Sequence, residues 1–404
     1  MSTVVKRVRR IVIRRDLLAV FAMVFLADAA IGIFRPTISL YARSLGASLT
    51  MIGALGGIEG LTRILFFVPV GMFSDTKGRR GVISAGLLLF AASYFLYTIV
   101  PSPYLLFPIR VMTGLSVCST FFIGIAYVSD IVDQRDRGLV IGLYTTCMGL
   151  GFAVGSAIGG LVTEDYGFGA SYRVAAIIVL LGFAILHLGP ADKSTRHRKA
   201  GSGTSQPLLA KLTLLVKEPN ILVASLGNVL ISVVLEGAIF NFYPLYAASL
   251  SISEAVIGSM FSVRALMSTS SRLPTGALTA RLPSRRLMVV ALVLAMTMVL
   301  SISFITVPAV LGVVLAGEGL AFGMFLASGH TFVAEHSTES NRGTATGIYN
   351  TAGSMGVALG PLALGPVADF WGLHTVFWLT GALVFLGIVV ILYMGYRQRS
   401  KTCA

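Results

Sequence analysis

The chain has 404 residues, 55% of them hydrophobic and only 12% charged, with a mean hydropathy of +0.86. That balance excludes an ordinary water-soluble domain and reads as a polytopic membrane protein. The net charge of +14 would suit a nucleic-acid binder, but the bases segregate by membrane side, which accounts for the charge with no nucleic acid as partner.

Taken in chain order, apolar stretches long enough to cross a bilayer as helices occur at 17–42, 49–74, 81–100, 104–131, 138–163 and 171–189. Six more follow at 219–249, 253–279, 286–306, 308–333, 343–368 and 373–395. The basic opening before the first stretch resembles a secretion signal, and Ala27-Asp-Ala-Ala30 looks like a cleavage site. Eleven further stretches follow it, so an uncleaved first helix is expected. With the amino terminus cytoplasmic, only Arg43 and Arg173 fall outside, while Arg35, Arg63, Arg110, Arg264 and Arg272 lie within spans. All other Lys and Arg then face the cytoplasm, the positive-inside pattern, which puts both termini there. Cys118, Cys147 and Cys403 are odd in number and scattered, so neither a disulfide framework nor a metal site is expected.

Shifting the chain against itself by 205 residues brings Gly32 onto Gly237, Tyr41 onto Tyr246, Gly71 onto Gly276 and Arg80 onto Arg285. It also brings Gly114 onto Gly319, Arg137 onto Arg342, Tyr144 onto Tyr349, and Gly151, Gly155 and Gly160 onto Gly356, Gly360 and Gly365. A constant offset that strikes mostly glycines marks an internal duplication, two parallel repeats of six helices. The expected fold is therefore an all-α membrane protein of twelve transmembrane helices in two pseudo-symmetric halves, 1–189 and 219–404. Residues 190–218 lose their hydrophobicity and gain Gly, Ser and base, and form the expected cytoplasmic linker.

The segment Gly71-Met-Phe-Ser-Asp75-Thr-Lys77-Gly-Arg79-Arg80 resembles the Gly-x-x-x-Asp-Arg-x-Gly-Arg-Arg signature of the major facilitator superfamily of secondary transporters, with Thr76 in place of the first Arg. Its second copy, Gly276 to Arg286, keeps the glycine and the bases but has Ala280 for the acid. Arg110-Val-Met-Thr-Gly114 is similar to an element of the family's fourth helix. The ladder Gly142, Gly151, Gly155, Gly159 and Gly160 is similar to the exporter pattern on its fifth, with Ser156 where that pattern has proline. The second copy holds Gly356, Gly360 and Pro361. The likeness is strongest to the twelve-helix drug/proton antiporter group.

Small residues four apart let a neighbouring helix approach closely, so the ladder is expected at the packing interface between the halves, and the resemblance adds export as the direction. The resemblance also implies that Asp75 caps the start of the eleventh helix, where the helix dipole favours an acid. A cytoplasmic gate would then comprise Gly71, Asp75, Arg79, Arg80, Asp130 and Arg137, with Arg285, Glu335 and Arg342 from the second repeat. The plain alternative is a solvated turn carrying a topology signal.

No Gly-Lys dipeptide occurs, so no phosphate-binding loop for ATP is encoded, and coupling to an ion gradient or facilitation remains. Charges inside spans are expensive and default to functional candidates. They are Asp28 and Arg35, Glu59 and Arg63, Arg110, Glu236, Arg264 and Glu318. Asp28 and Arg35 are seven apart and Glu59 and Arg63 four apart, so each pair shares a helix face. By helix rise Asp28 lies about 16 Å from the cytoplasmic end of its span. One reading makes these structural ion pairs; the other makes them proton-coupling groups, a carboxylate beside an Arg exchanging its proton as a cavity opens to each side. Asp28 leads the coupling candidates, then Glu236 and Glu59.

For the substrate cavity the candidates are Phe34, Tyr41, Asn228, Asn241, Phe242 and Tyr246; aromatic lining with a few acids suits small amphipathic molecules, while an interfacial aromatic belt is the alternative. The expected function is proton-coupled export of small amphipathic molecules by alternating access. A lipid or glycolipid flippase, or a proton-coupled importer, stands as the alternative. No His-Glu-x-x-His or Gly-x-Ser-x-Gly occurs, so no enzyme chemistry and no cofactor are expected. The expected partners are substrate, protons and the bilayer of the inner, cytoplasmic membrane, with the protein a monomer.

Overall fold

A computed structural model describes residues 14–189, 218–338 and 341–402, side chains to 397, as helices joined by short turns, with no strand among the described residues. The linker expected at 190–218, apart from Glu218, the basic opening as far as Ile13, and Cys403 lie outside the described residues.

The first repeat contains α1 (Arg15–Phe34), α2 (Ile38–Ser44), α3 (Leu49–Lys77), α4 (Arg79–Tyr97), α5 (Leu106–Val117), α6 (Ile123–Asp130) and α7 (Arg137–Leu188). The second contains α8 (Pro219–Ser232), α9 (Tyr243–Ser249), α10 (Glu254–Leu278), α11 (Ser284–Ile302), α12 (Pro308–Glu335), α13 (Arg342–Trp371) and α14 (Leu373–Thr402). A π-helical turn, Cys118–Phe122, joins α5 to α6, and a longer one, Val233–Phe240, follows α8. Prolines open α8 and α12, where the first amide has no acceptor in any case.

Among the described residues, ten helical stretches are long and apolar enough to cross a membrane. One of them, α7, runs for 52 residues but is interrupted at Gly167, whose φ of 79° and ψ of 170° are not helical. That glycine falls between the two apolar runs 138–163 and 171–189. The 25 residues of α10 are not among the ten; it carries Glu254, Arg264 and Arg272.

The 205-residue offset persists in backbone and contacts. Gly167 and Gly372 both take positive φ, 79° and 87°. Gly46 has φ 89°, and its mate Ser251 holds φ 60° despite its side chain. Pro69 lies inside α3 and Pro274 at the matching place inside α10. Arg80 donates to the carbonyl of Leu186 and Arg285 to that of Ile391, so an equivalent arginine holds an equivalent position on the last helix of each repeat.

The described chain clusters into two compact units. Of the described residues, one comprises 14–46, 62–189 and 253–262; the other 47–61, 218–252, 263–338 and 341–402. In the first unit, a Cβ placed on Gly151, Gly155 or Gly159 would run into the backbone of Phe25, Ala29 or Ile33 on α1. The ladder expected between the halves thus mainly lets α7 lie against α1 of its own repeat. Only its end, Gly160, meets Gly258 and its neighbours on α10. In the second unit, Gly356 faces Val229 and Ser232 of α8, Gly360 approaches Gly237, and Pro361 meets Gly53 of α3. Gly142 has nothing within 4 Å of an added Cβ. The reason is geometric: glycines at four-residue spacing follow one face of a helix, and that face is turned to the helix running alongside.

Candidate functional site

The second repeat holds the most deeply buried charges. Arg264 projects from α10 and Glu318 from α12, and Arg264 Nε donates to Glu318 Oε2 at 2.5 Å. Their side chains are 4% and 0% exposed. The guanidinium also lies 5.3 Å from the ring centre of Phe240 and 5.5 Å from that of Phe322. Arg suits this place because its weakly hydrated plane tolerates burial and stacks on aromatic faces. The pair is incompletely satisfied: Glu318 Oε1 and Arg264 Nη2 are buried with no hydrogen-bond partner among the described residues.

Glu236, also buried, sits in the π-helical turn after α8, and its backbone carbonyl accepts a short hydrogen bond from Asn241 Nδ2. The asparagines expected to line a cavity are engaged by helices. Asn241 packs on Gly56, and Asn228 Nδ2 donates to the carbonyl of Tyr349 at 2.8 Å. Gly56 makes room for the amide of Asn241 and Gly353 for that of Asn228, since a Cβ on either glycine would meet it.

In the first repeat Asp28, Arg35, Glu59 and Arg110 are buried and Arg63 is half-buried. None of these five is without a partner. Arg110 stands over the ring of Phe34 at 5.2 Å, as Arg264 does over Phe240. Asp28, Arg35, Arg63 and Arg110 fall in the first compact unit and Glu59 in the second.

The aromatic candidates pack against other rings. Phe34 contacts Tyr94, Tyr97 and Tyr172 at 4.8 to 5.4 Å between centres. Tyr41 leans on Phe168 and Tyr172 and donates to the carbonyl of Tyr97. Tyr246 contacts His374 and Phe377, and Phe242 is fully buried.

At the α3–α4 hairpin, Arg79 pairs with Asp130 at 2.5 Å and with Asp75 at 3.4 Å, so the three expected gate residues form one cluster. Asp75 is 65% exposed. Arg137 Nε donates to the carbonyl of Ser129 at 3.0 Å, tying the start of α7 to the end of α6. The second repeat preserves this arrangement in altered chemistry: Ser284, the mate of Arg79, donates a short hydrogen bond to Glu335, the mate of Asp130. Arg342 is exposed, and a Cβ on Gly71 would meet nothing within 4 Å.

Sequence reasoning missed a second pair of acids. In the second unit Asp369, near the end of α13, accepts the amides of Leu49 and Thr50 at 2.9 and 2.7 Å, capping the start of α3. In the first unit Glu164 accepts the amide of Ala255 at 2.9 Å, capping the start of α10. These acids stand 205 apart, so the offset that exposed the glycines could have found them. Each satisfies amides that lack helical acceptors and opposes the positive end of a helix dipole.

The fold and these clusters can be set beside known proteins. The family model of the Major Facilitator Superfamily matches residues 20–248 and 226–402. The chain belongs to the Major Facilitator Superfamily. It is accordingly a multi-pass membrane transporter of small molecules and not an enzyme. Over 369 residues it is 22% identical to the uncharacterized MFS-type transporter MJ1560 of Methanocaldococcus jannaschii, covering 90% of this chain and 94% of that one. Over 401 residues it is 24% identical to the multidrug resistance protein MdtG of Enterobacter lignolyticus, covering 96% and 93%. The crystal structure of the nucleoside transporter NupG superposes with a TM-score of 0.77 at 17% identity, covering 94% of this chain and 98% of that one. This superfamily member thus shares its fold with a solved nucleoside transporter.

Proposed function

We propose that this superfamily member is a proton-coupled exporter of small amphipathic molecules, with twelve spans and both termini on the cytoplasmic side of the inner membrane. The observation that carries the reading is the Arg264–Glu318 pair, a nearly solvent-free ion pair between α10 and α12 with one open carboxylate oxygen. Such a pair is expensive to bury, and an apolar pair of similar volume would often serve stability as well. Its presence inside a transporter is explained if Glu318 alternates between an ion-paired and a protonated form as access alternates. Asp28 and Glu236 are further coupling acids, one in each half. The aromatic clusters around Phe34 and Phe240 supply apolar surface beside a cation, and the multidrug name of the MdtG relative supports efflux of amphipathic compounds.

The test is transport by purified protein in liposomes carrying an imposed pH gradient, with a panel of fluorescent lipophilic cations as cargo. The wild type should accumulate cargo against its gradient, and Glu318→Gln and Asp28→Asn should exchange it without accumulation. Undiminished uphill transport by both variants would overturn the coupling assignment. Movement only in the opposite sense would favour an importer, and movement of labelled lipid but not of soluble cargo would favour a flippase.

A further inference from the structure

The α3–α4 hairpin carries three bases, and the protein engages two of them. Arg79 is held by Asp75 and Asp130, and Arg80 donates to the carbonyls of Leu186 and Gly189. Lys77 forms no side-chain hydrogen bond or ion pair among the described residues. It lines instead a groove of about 430 Å³ between α3, α4 and α5, whose other walls are apolar: Val70 and Phe73 on one side, Ala85 and Leu89 on the other, Leu115 behind. No acidic side chain lines it.

The shape of the groove follows from two glycines on α4. Deep in the groove, Gly86 lets α4 close onto Ser119, since a Cβ there would come within 2.7 Å of that residue's own. At the mouth, a Cβ on Gly81 would meet nothing within 4 Å, so the space stays open beside Lys77. From Gly81 to Leu89 the groove follows about 12 Å of helix. That is close to half of the ~30 Å hydrocarbon core, the depth available to the chains of one leaflet.

We propose that this groove binds an anionic phospholipid of the cytoplasmic leaflet, its phosphate on Lys77 and one acyl chain along Phe73, Ala85 and Leu89. Charge complementarity selects the occupant: an apolar trough closed at its membrane-surface end by a single unengaged cation matches a chain bearing a negative head, and basic pockets between helices on this face recognise such heads. A free phosphate would leave the trough empty, and a zwitterionic lipid would bring its own cation to Lys77. The site stands independently of proton coupling.

The test is native mass spectrometry of the detergent-purified full chain titrated with palmitoyl-oleoyl phosphatidylglycerol or with the phosphatidylcholine of the same chains. The first phosphatidylglycerol should bind about fivefold more tightly than the first phosphatidylcholine, the worth of one lysine contact at a membrane surface. Lys77→Gln should abolish that preference with phosphatidylcholine binding unchanged, and Lys77→Arg should retain it. Gly81→Leu, which fills the mouth without changing its charge, should weaken the first molecule of either lipid. The proposal is overturned if the wild type shows no preference, if Lys77→Gln keeps it, or if glycerol 3-phosphate displaces the lipid at equal concentration. A melting midpoint shared by the variants and the wild type shows that the differences arise at the site.

Discussion

Arg264 and Glu318 share a single hydrogen bond, Nε to Oε2, and face each other across two helices with almost no solvent contact. Removing one partner strands the other charge, whereas removing both leaves an apolar contact. Arg264→Leu alone should therefore destabilise by about 3–5 kcal/mol, and Arg264→Leu with Glu318→Leu by much less. Unfolding by denaturant titration in mixed micelles measures both. Equal losses in the single and double variants would show that the pair is not coupled in the folded state.

The glycine ladder makes an opposite pair of predictions within one helix. Gly155→Ala forces a methyl into the backbone of Ala29, where no flexible side chain can yield, and should cost about 1–3 kcal/mol. Gly142→Ala meets open space and relieves the entropic penalty of a helical glycine, so it should stabilise by about 0.5–1 kcal/mol. Melting midpoints moving in opposite directions are expected; a shift of the same sign in both would contradict the packing described.

Asp369 supplies both of its carboxylate oxygens to the first amides of α3. Asp369→Ala should remove about 1 kcal/mol of cap stabilisation, the lower end applying because the group is largely solvated. Hydrogen exchange at Leu49 and Thr50 should accelerate several-fold while the middle of α3 is unaffected. Glu164→Gln should loosen the amide of Ala255 in the same sense. Unchanged protection at these amides would show that water replaces the carboxylates without loss.

Ser251 is the one non-glycine with positive φ among the described residues, and its repeat mate is Gly46. A left-handed conformation penalises any residue with a Cβ. Ser251→Gly should therefore raise the melting midpoint slightly, since relief of that strain outweighs the added freedom of the unfolded chain. A lowered midpoint would mean that the serine side chain stabilises the turn by more than its strain.

Much of the architecture was legible because hydropathy and a constant offset act along the chain. The apolar runs become helices because a bilayer leaves no other way to satisfy their backbone, and the break between 163 and 171 became Gly167. The acid–base cluster at Asp75, Arg79 and Asp130 was legible in part: spacing brings Asp75 to Arg79, while Asp130 arrives only through folding. The ladder's partner was misjudged because small spacing says which face is smooth and not which helix lies on it. Asp369 and Glu164 escaped notice because a single acid at a helix end has no local signature; its meaning comes from amides more than ninety residues away.

By itself the sequence determined that this is a twofold-repeated set of apolar helices, because hydrophobicity and duplication are properties of the chain alone. It also singled out Asp28, Arg35, Glu59, Arg110, Glu236, Arg264 and Glu318, charges within apolar runs that the structure buries. Only the tertiary structure decided that Arg264 meets Glu318, that Gly155 lies on Ala29, and that Lys77 is left facing an apolar groove. Those outcomes depend on which helix faces are brought together, and side-chain geometry across tens or hundreds of residues settles them at distances of a few ångströms.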